Sequence, residues 1–193
     1  LNHFFDSHKL PLGAEDRYAM VFGFGERPHE DILIAQNRVE DLQVEVDDAR
    51  RVRIVGNTVA RPVKTAGIGT FTIAPKGGLA EAFEIAGNTI IDPVLSAGAI
   101  TVHLDPPNSN DATFRDIRIR DNVIVYTAAL KTASGQSWDG PEGRTWPPAV
   151  QIGTGDNSAA THGNVFDDIS IERNTIWVEP SLGSIRYGIF FAN

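Results

Sequence analysis

Two short stretches carry ionisable side chains at alternate positions. Glu45-Val46-Asp47 and His103-Leu104-Asp105 each set two such groups two residues apart, so both groups share a face if the segment is a strand. Carboxylates gathered on one face can do acid–base work, because a neighbouring charge raises one pKa until that group holds a proton while the other stays ionised. His103 would assist, and Asp105 stands just ahead of two prolines, where a strand should end. The plain alternative is that outward acidic residues are solvated surface, the default for a strand with one face buried. A second group lies between Thr127 and Pro148, where Trp138 and Trp146 bracket Asp139, Glu142 and Arg144. Exposed indoles stack on sugar rings, and the flanking groups can bond hydroxyls or, through Arg144, an acidic sugar. The same indoles could instead fold this long loop down onto the body of the protein.

Positioning these groups falls to a recurring phrase that reads apolar, any, apolar, any, any, Asn, any, apolar. Its copies surround Asn37, Asn57, Asn88, Asn122 and Asn174, separated by 20, 31, 34 and 52 residues, so the unit is constant while the connection after it varies. The apolar residues alternate with period two, which is strand spacing and not helical spacing. Asn tolerates the left-handed conformation of a sharp corner, and its amide can bond to the equivalent Asn of the next copy. A stacked asparagine ladder is expected, and with it a solenoid. Leu1-Asn2-His3-Phe4 reads as half of one more copy, and no end cap is evident, so a segment of a longer β-helix or an oligomer that covers its ends is expected.

A second strand type follows each phrase. Ala19 to Gly25 aligns with Ala149 to Gly155, and Gly67 to Pro75 aligns with Gly98 to Pro106, while Leu42 to Val46 and Gly188 to Phe191 fill the same slot. Setting Val46, Ile73 and Leu104 in register puts Glu45, Thr72 and His103 in one outward column, and Asp47, Ala74 and Asp105 in the next. Asp47 and Asp105 then lie roughly 9 to 10 Å apart, near the upper end of the ~6.5–9.5 Å window of inverting glycosidases.

The phrase with its Asn corner resembles the right-handed parallel β-helix of the pectate lyase superfamily, over nearly the whole chain. The stretch from Asn2 to Val59 has a layout similar to alginate lyases and chondroitinase B, with Pro11-Leu12-Gly13, a glycine-ended strand at Ala19 to Gly25 and a strand leading into Gly56-Asn57-Thr58-Val59. Those enzymes carry a lysine base soon after a glutamate-containing strand. Here the corresponding stretch is Glu45-Val46-Asp47-Asp48-Ala49-Arg50, without lysine.

At 193 residues the chain fits one β-helix domain spanning 1–193, and the resemblance implies an all-β, single-stranded right-handed parallel β-helix of about six coils. A net charge of -8 without a basic cluster argues against nucleic acid or an anionic membrane as partner. There is no cysteine, hence no thiolate chemistry, and no apolar run near the ~18 residues of a membrane span. Dinucleotide, Walker and nucleophile-elbow motifs are absent. No cofactor is expected, although the turns at Asp156-Asn157 and Asp167-Asp168 could hold calcium. Trp177 is expected to pack.

These readings point to an extracellular or periplasmic carbohydrate-active protein that binds a polysaccharide and cleaves it by hydrolysis or elimination. In that reading Asp105, His103, Glu45 and Asp47 are catalytic, and Trp138, Trp146, Asp139 and Arg144 hold substrate. The alternative is a non-catalytic carbohydrate-binding, adhesion or tailspike-type module, in the form of a homo-oligomer.

Overall fold

The computed structural model describes residues 2–5, 18–22, 29–47, 49–61, 71–74, 79–93, 99–102, 112–127, 149–153, 163–180 and 188–192. In chain order the strands begin with β1 (Asn2–Phe5), β2 (Tyr18–Phe22), β3 (His29–Glu30), β4 (Leu33–Ala35), β5 (Asn37–Glu40) and β6 (Gln43–Asp47). They continue with β7 (Ala49–Arg50), β8 (Val52–Val55), β9 (Thr58–Ala60), β10 (Phe71–Ala74), β11 (Leu79–Ala86), β12 (Thr89–Ile91) and β13 (Ile100–Val102). The last are β14 (Thr113–Arg120), β15 (Val123–Tyr126), β16 (Val150–Gly153), β17 (Val165–Glu172), β18 (Thr175–Val178) and β19 (Ile189–Ala192).

These strands form three long sheets in which every pairing is parallel. Sheet A runs β1-β5-β9-β12-β15-β18, sheet B runs β2-β6-β10-β13-β16-β19 and sheet C runs β4-β8-β11-β14-β17, with β3 and β7 as a separate pair. From β8 onward, successive triplets of strands give one strand each to sheets C, A and B. The result is an all-β chain of long parallel sheets, an arrangement compatible with a solenoid. Among the described residues no helix is long and apolar enough to cross a membrane.

The period-two pattern places one apolar column from each sheet in the centre. Val39, Val59, Ile90 and Ile124 stack in register along sheet A, and Ile34, Ile54, Ile85 and Ile119 along sheet C, all essentially solvent-free. Burying such side chains contributes roughly 1.5–3 kcal/mol each, the main favourable term here.

The asparagines form the expected ladder. Asn2, Asn37, Asn57, Asn88, Asn122 and Asn174 are joined by Nδ2–H donated to the Oδ1 of the next Asn, at 2.9 to 3.1 Å. From Asn37 to Asn122, the backbone N–H of each Asn donates to the same oxygen as its side chain. The second Nδ2–H of Asn57, Asn88, Asn122 and Asn174 goes to the carbonyl of Ile34, Ile54, Ile85 and Ile119. One expectation is corrected: the left-handed residue is not the Asn but the one before it. Gln36, Gly56, Gly87, Asp121 and Arg173 have φ between 51° and 66°. The turn is made there so that Asn itself stays extended and can aim its N–H and amide along the stack. Gly56 and Gly87 take that conformation without the Cβ strain that Gln36, Asp121 and Arg173 accept.

Tyr126 is the imperfect member of this core. It is 1% exposed, burial pushes its phenol well above the usual range, and its Oη has no hydrogen-bond partner among the described residues. An unsatisfied buried hydroxyl costs about 1–3 kcal/mol. Tyr126→Phe should therefore raise stability by about 1 kcal/mol, read as a higher urea midpoint with unchanged slope.

Candidate functional site

Sheet B carries the wall on which sequence placed the acidic groups. Val46 pairs with Ile73 as expected, but Ile73 pairs onward with Val102 and not with Leu104. Thr101, not His103, therefore shares a row with Glu45 and Thr72. The slip is two residues, which preserves the in–out alternation, so the hydrophobic pattern alone had no means of detecting it. Through the neighbouring strands the column runs Val21, Glu45, Thr72, Thr101, Gln151, Phe190, in keeping with the alignment of Ala19 to Gly25 on Ala149 to Gly155.

Burial is the second departure. An outward column on a solenoid should be wet, yet Glu45 is 6% exposed, Thr101 1% and Gln151 9%. Their inward neighbours Val44, Val46, Ile100, Val102, Val150 and Ile152 are buried too, so these strands are covered on both faces. No hydrogen bond or ion pair reaches the Glu45 carboxylate from the described residues. Glu45, Thr101 and Gln151 stand on β6, β13 and β16, so a buried carboxylate, hydroxyl and amide are spread along one column, a set of groups able to bond an extended polyhydroxyl ligand.

Of the other expected site residues, Asp47 ends β6 with its backbone paired to Ala74. Asp105, His103, Trp138, Asp139, Arg144 and Trp146 lie outside the described residues, as does the Asp156-Asn157 turn. Trp177, expected to pack, is 43% exposed at the edge of sheet A.

The outward face of sheet C holds charges in a different state. Arg53 Nε and Arg120 Nη2 donate to the two oxygens of Glu84 at 2.7 and 2.6 Å. Arg173 grips Asp121 with Nε and Nη2 at 2.7 and 2.9 Å, and Arg51 bridges Asp31 and Glu30. Arg118 bonds the carboxylate of Asp168, and Arg115 pairs with Glu81. Hydrogen bonds from Arg53 and Arg120 hold the Glu84 carboxyl below its usual range; that from Arg173 does the same for Asp121, and that from Arg51 for Asp31. Such groups stay ionised near neutrality and cannot act as general acids. Between them, above Ala82, opens a cavity of about 570 Å³ lined by Leu33, Arg51, Arg53, Glu84, Asp116 and Arg118.

A carboxylate with a depressed pKa stabilises the fold at pH above its unfolded value and loses that contribution as pH falls through the folded value. Stability should therefore decline as pH drops below the usual carboxylate range. Glu84→Gln should flatten part of that decline, by about 0.5 to 1 kcal/mol after solvent screening, in urea midpoints taken along a pH series.

This charged face escaped the reading of chemistry from sequence, yet it was within reach. Leu33, Arg53, Glu84, Arg118 and Ser170 each stand four residues before a ladder asparagine, so aligning the phrases stacks Arg, Glu and Arg in one column. No protein-family model matches the chain, and neither a curated protein nor a solved structure is significantly similar to it.

Proposed function

We propose that this chain is a right-handed parallel β-helix of about six coils, of the pectate lyase-like kind, that binds an extended polysaccharide or oligosaccharide along the outward face of sheet B and cleaves it there. The observation that carries the reading is the buried Glu45 carboxylate, without a partner among the described residues, in register with Thr101 and Gln151. A solenoid has no structural need to bury a polar column on its outer wall, and a few polar groups set under cover on one wall are what a ligand site is built from. Glu45 is assigned as acid or base. Asp47, Asp105 and His103 remain its proposed helpers, and Trp138, Trp146, Asp139 and Arg144 the proposed sugar contacts. An extracellular or periplasmic location goes with such a substrate.

The test is a screen of neutral and uronic-acid polysaccharides for new reducing ends and for the ultraviolet absorbance of unsaturated products, with Glu45→Gln alongside. Turnover lost in folded Glu45→Gln supports the assignment, and full turnover in that variant overturns it. Binding without turnover in the wild type favours the non-catalytic module. The arginine-held carboxylates of sheet C speak for that second reading, since they are fit for contact and not for proton transfer.

A further inference from the structure

On the outward side of sheet C the sign of charge changes from one strand to the next. Arg50, Arg51 and Arg53 stand on β7, β8 and the turn between them, and Glu81 and Glu84 stand beside them on β11. On the far side of β11, β14 follows with Arg115, Arg118 and Arg120 around a single Asp116. Before the first arginine row, β3 and the turn after it bring Glu30 and Asp31. Successive rows lie about 4.8 Å apart, so basic and acidic stripes alternate across the face.

Bonds within the chain hold these groups in place without using them up. Arg53 commits its Nε to Glu84, and neither of its Nη groups has a partner among the described residues. Both donors of Arg115 go to Oε1 of Glu81, so its Oε2 meets no donor among the described residues. Arg50, only partly buried, makes no side-chain hydrogen bond or ion pair among them either. The relief matches the charge. Asp31, Arg51, Ala82 and Asp116 occupy the same left-handed position in successive strands, with φ of 59°, 54°, 61° and 52°. Ala82 is the small member of that column. The cavity of about 570 Å³ opens above it, between Arg51 and Arg53 on one side and Asp116 and Arg118 on the other.

We propose that this face binds the same face of a second copy through a two-fold axis that runs along the strands, between β8 and β11. Such an axis reverses the order of the strands and keeps each column, so Arg53 faces the partner's Glu84 and Glu84 the partner's Arg53. Each copy adds the unused Nη groups of its Arg53 to a carboxylate that the other already holds in place. In the same row Arg50 is level with the partner's Glu81, and Arg51 enters the notch over the partner's Ala82. One row further out, Glu30 meets the partner's Arg115. Asp31 comes opposite the partner's Asp116, and the Arg51 bound to Asp31 stands beside both. Sliding one copy by a single strand would set rows of like sign against each other, and so would an axis running across the strands. The pairing therefore has one register. It closes on itself, which gives a dimer and not a chain.

Sedimentation velocity across a concentration series tests the proposal, with circular dichroism as the check on folding. The wild type should give monomer and dimer, and added salt should weaken the dimer. Arg53→Glu sets carboxylates face to face across the axis, and Glu84→Arg sets guanidiniums face to face. Each alone should raise the dissociation constant by about tenfold or more. An equimolar mixture of the two should recover a one-to-one dimer, because every contact at these positions then joins opposite charges. If either reversal is unfolded, Ala82→Gln replaces it. That change fills the notch at a position where the flanking strands carry Arg and Asp at a similar φ, and it should raise the dissociation constant likewise. A wild type that stays monomeric overturns the proposal. Oligomers other than a dimer, a dimer that the variants leave intact, or a mixture of folded reversals that recovers nothing overturn it too.

Discussion

Asn88→Ala should destabilise the chain by about 3 to 5 kcal/mol. Asn88 is fully buried and sits between Asn57 and Asn122. Removing its side chain leaves the Asn57 backbone N–H and one Asn57 Nδ2–H without their acceptor, and the Ile54 carbonyl without that donor. Each buried group left unsatisfied costs about 1–3 kcal/mol, and water cannot reach this position without opening the core. Asn122 fares better, because its Oδ1 still receives the backbone N–H of residue 88. Asn2→Ala is the control: it removes one partly buried bond and should cost about 1 kcal/mol or less. Urea unfolding of both variants decides the matter. Equal losses would mean that the ladder is decoration on a core that holds without it.

The ladder was legible in the sequence because its signal is local and repeated: five phrases with the same alternation and Asn in the same place leave little freedom. Which residue makes the turn was not legible. Gln, Gly, Asp and Arg occupy the position before Asn, and only the glycines advertise a positive φ. The pairing of β6 with β10 followed from pattern, whereas that of β10 with β13 slipped by two residues, since a strand carries no information that separates registers of equal parity. Glu45 was found for its chemistry and misjudged for its surroundings. Alternation says which way a side chain points and nothing about what lies over it, so a buried outward column is visible only in three dimensions. The sheet C arginines illustrate the opposite case: their partners lie 20 to 52 residues away and become neighbours only when the Asn phrases are superposed.

The second large effect concerns position along the stack. Phe114→Ala should cost about 3 to 5 kcal/mol, and Phe166→Ala, one strand further on in the same column, only about 1 to 2 kcal/mol. Phe114 is fully buried, with Ala80 in register on one side and the Phe166 ring stacked on the other at a centroid distance of 5.3 Å. Ala80 is too small to fill the space a lost ring would leave, so a cavity closed on all sides remains and its walls lose their contacts. Phe166 meets Phe114 on one side and the edge-on ring of Phe191 on the other, and it is only partly buried. Its truncation therefore exposes a site that solvent already touches, and less area is lost from the core. Urea unfolding at low protein concentration should return the two values separately.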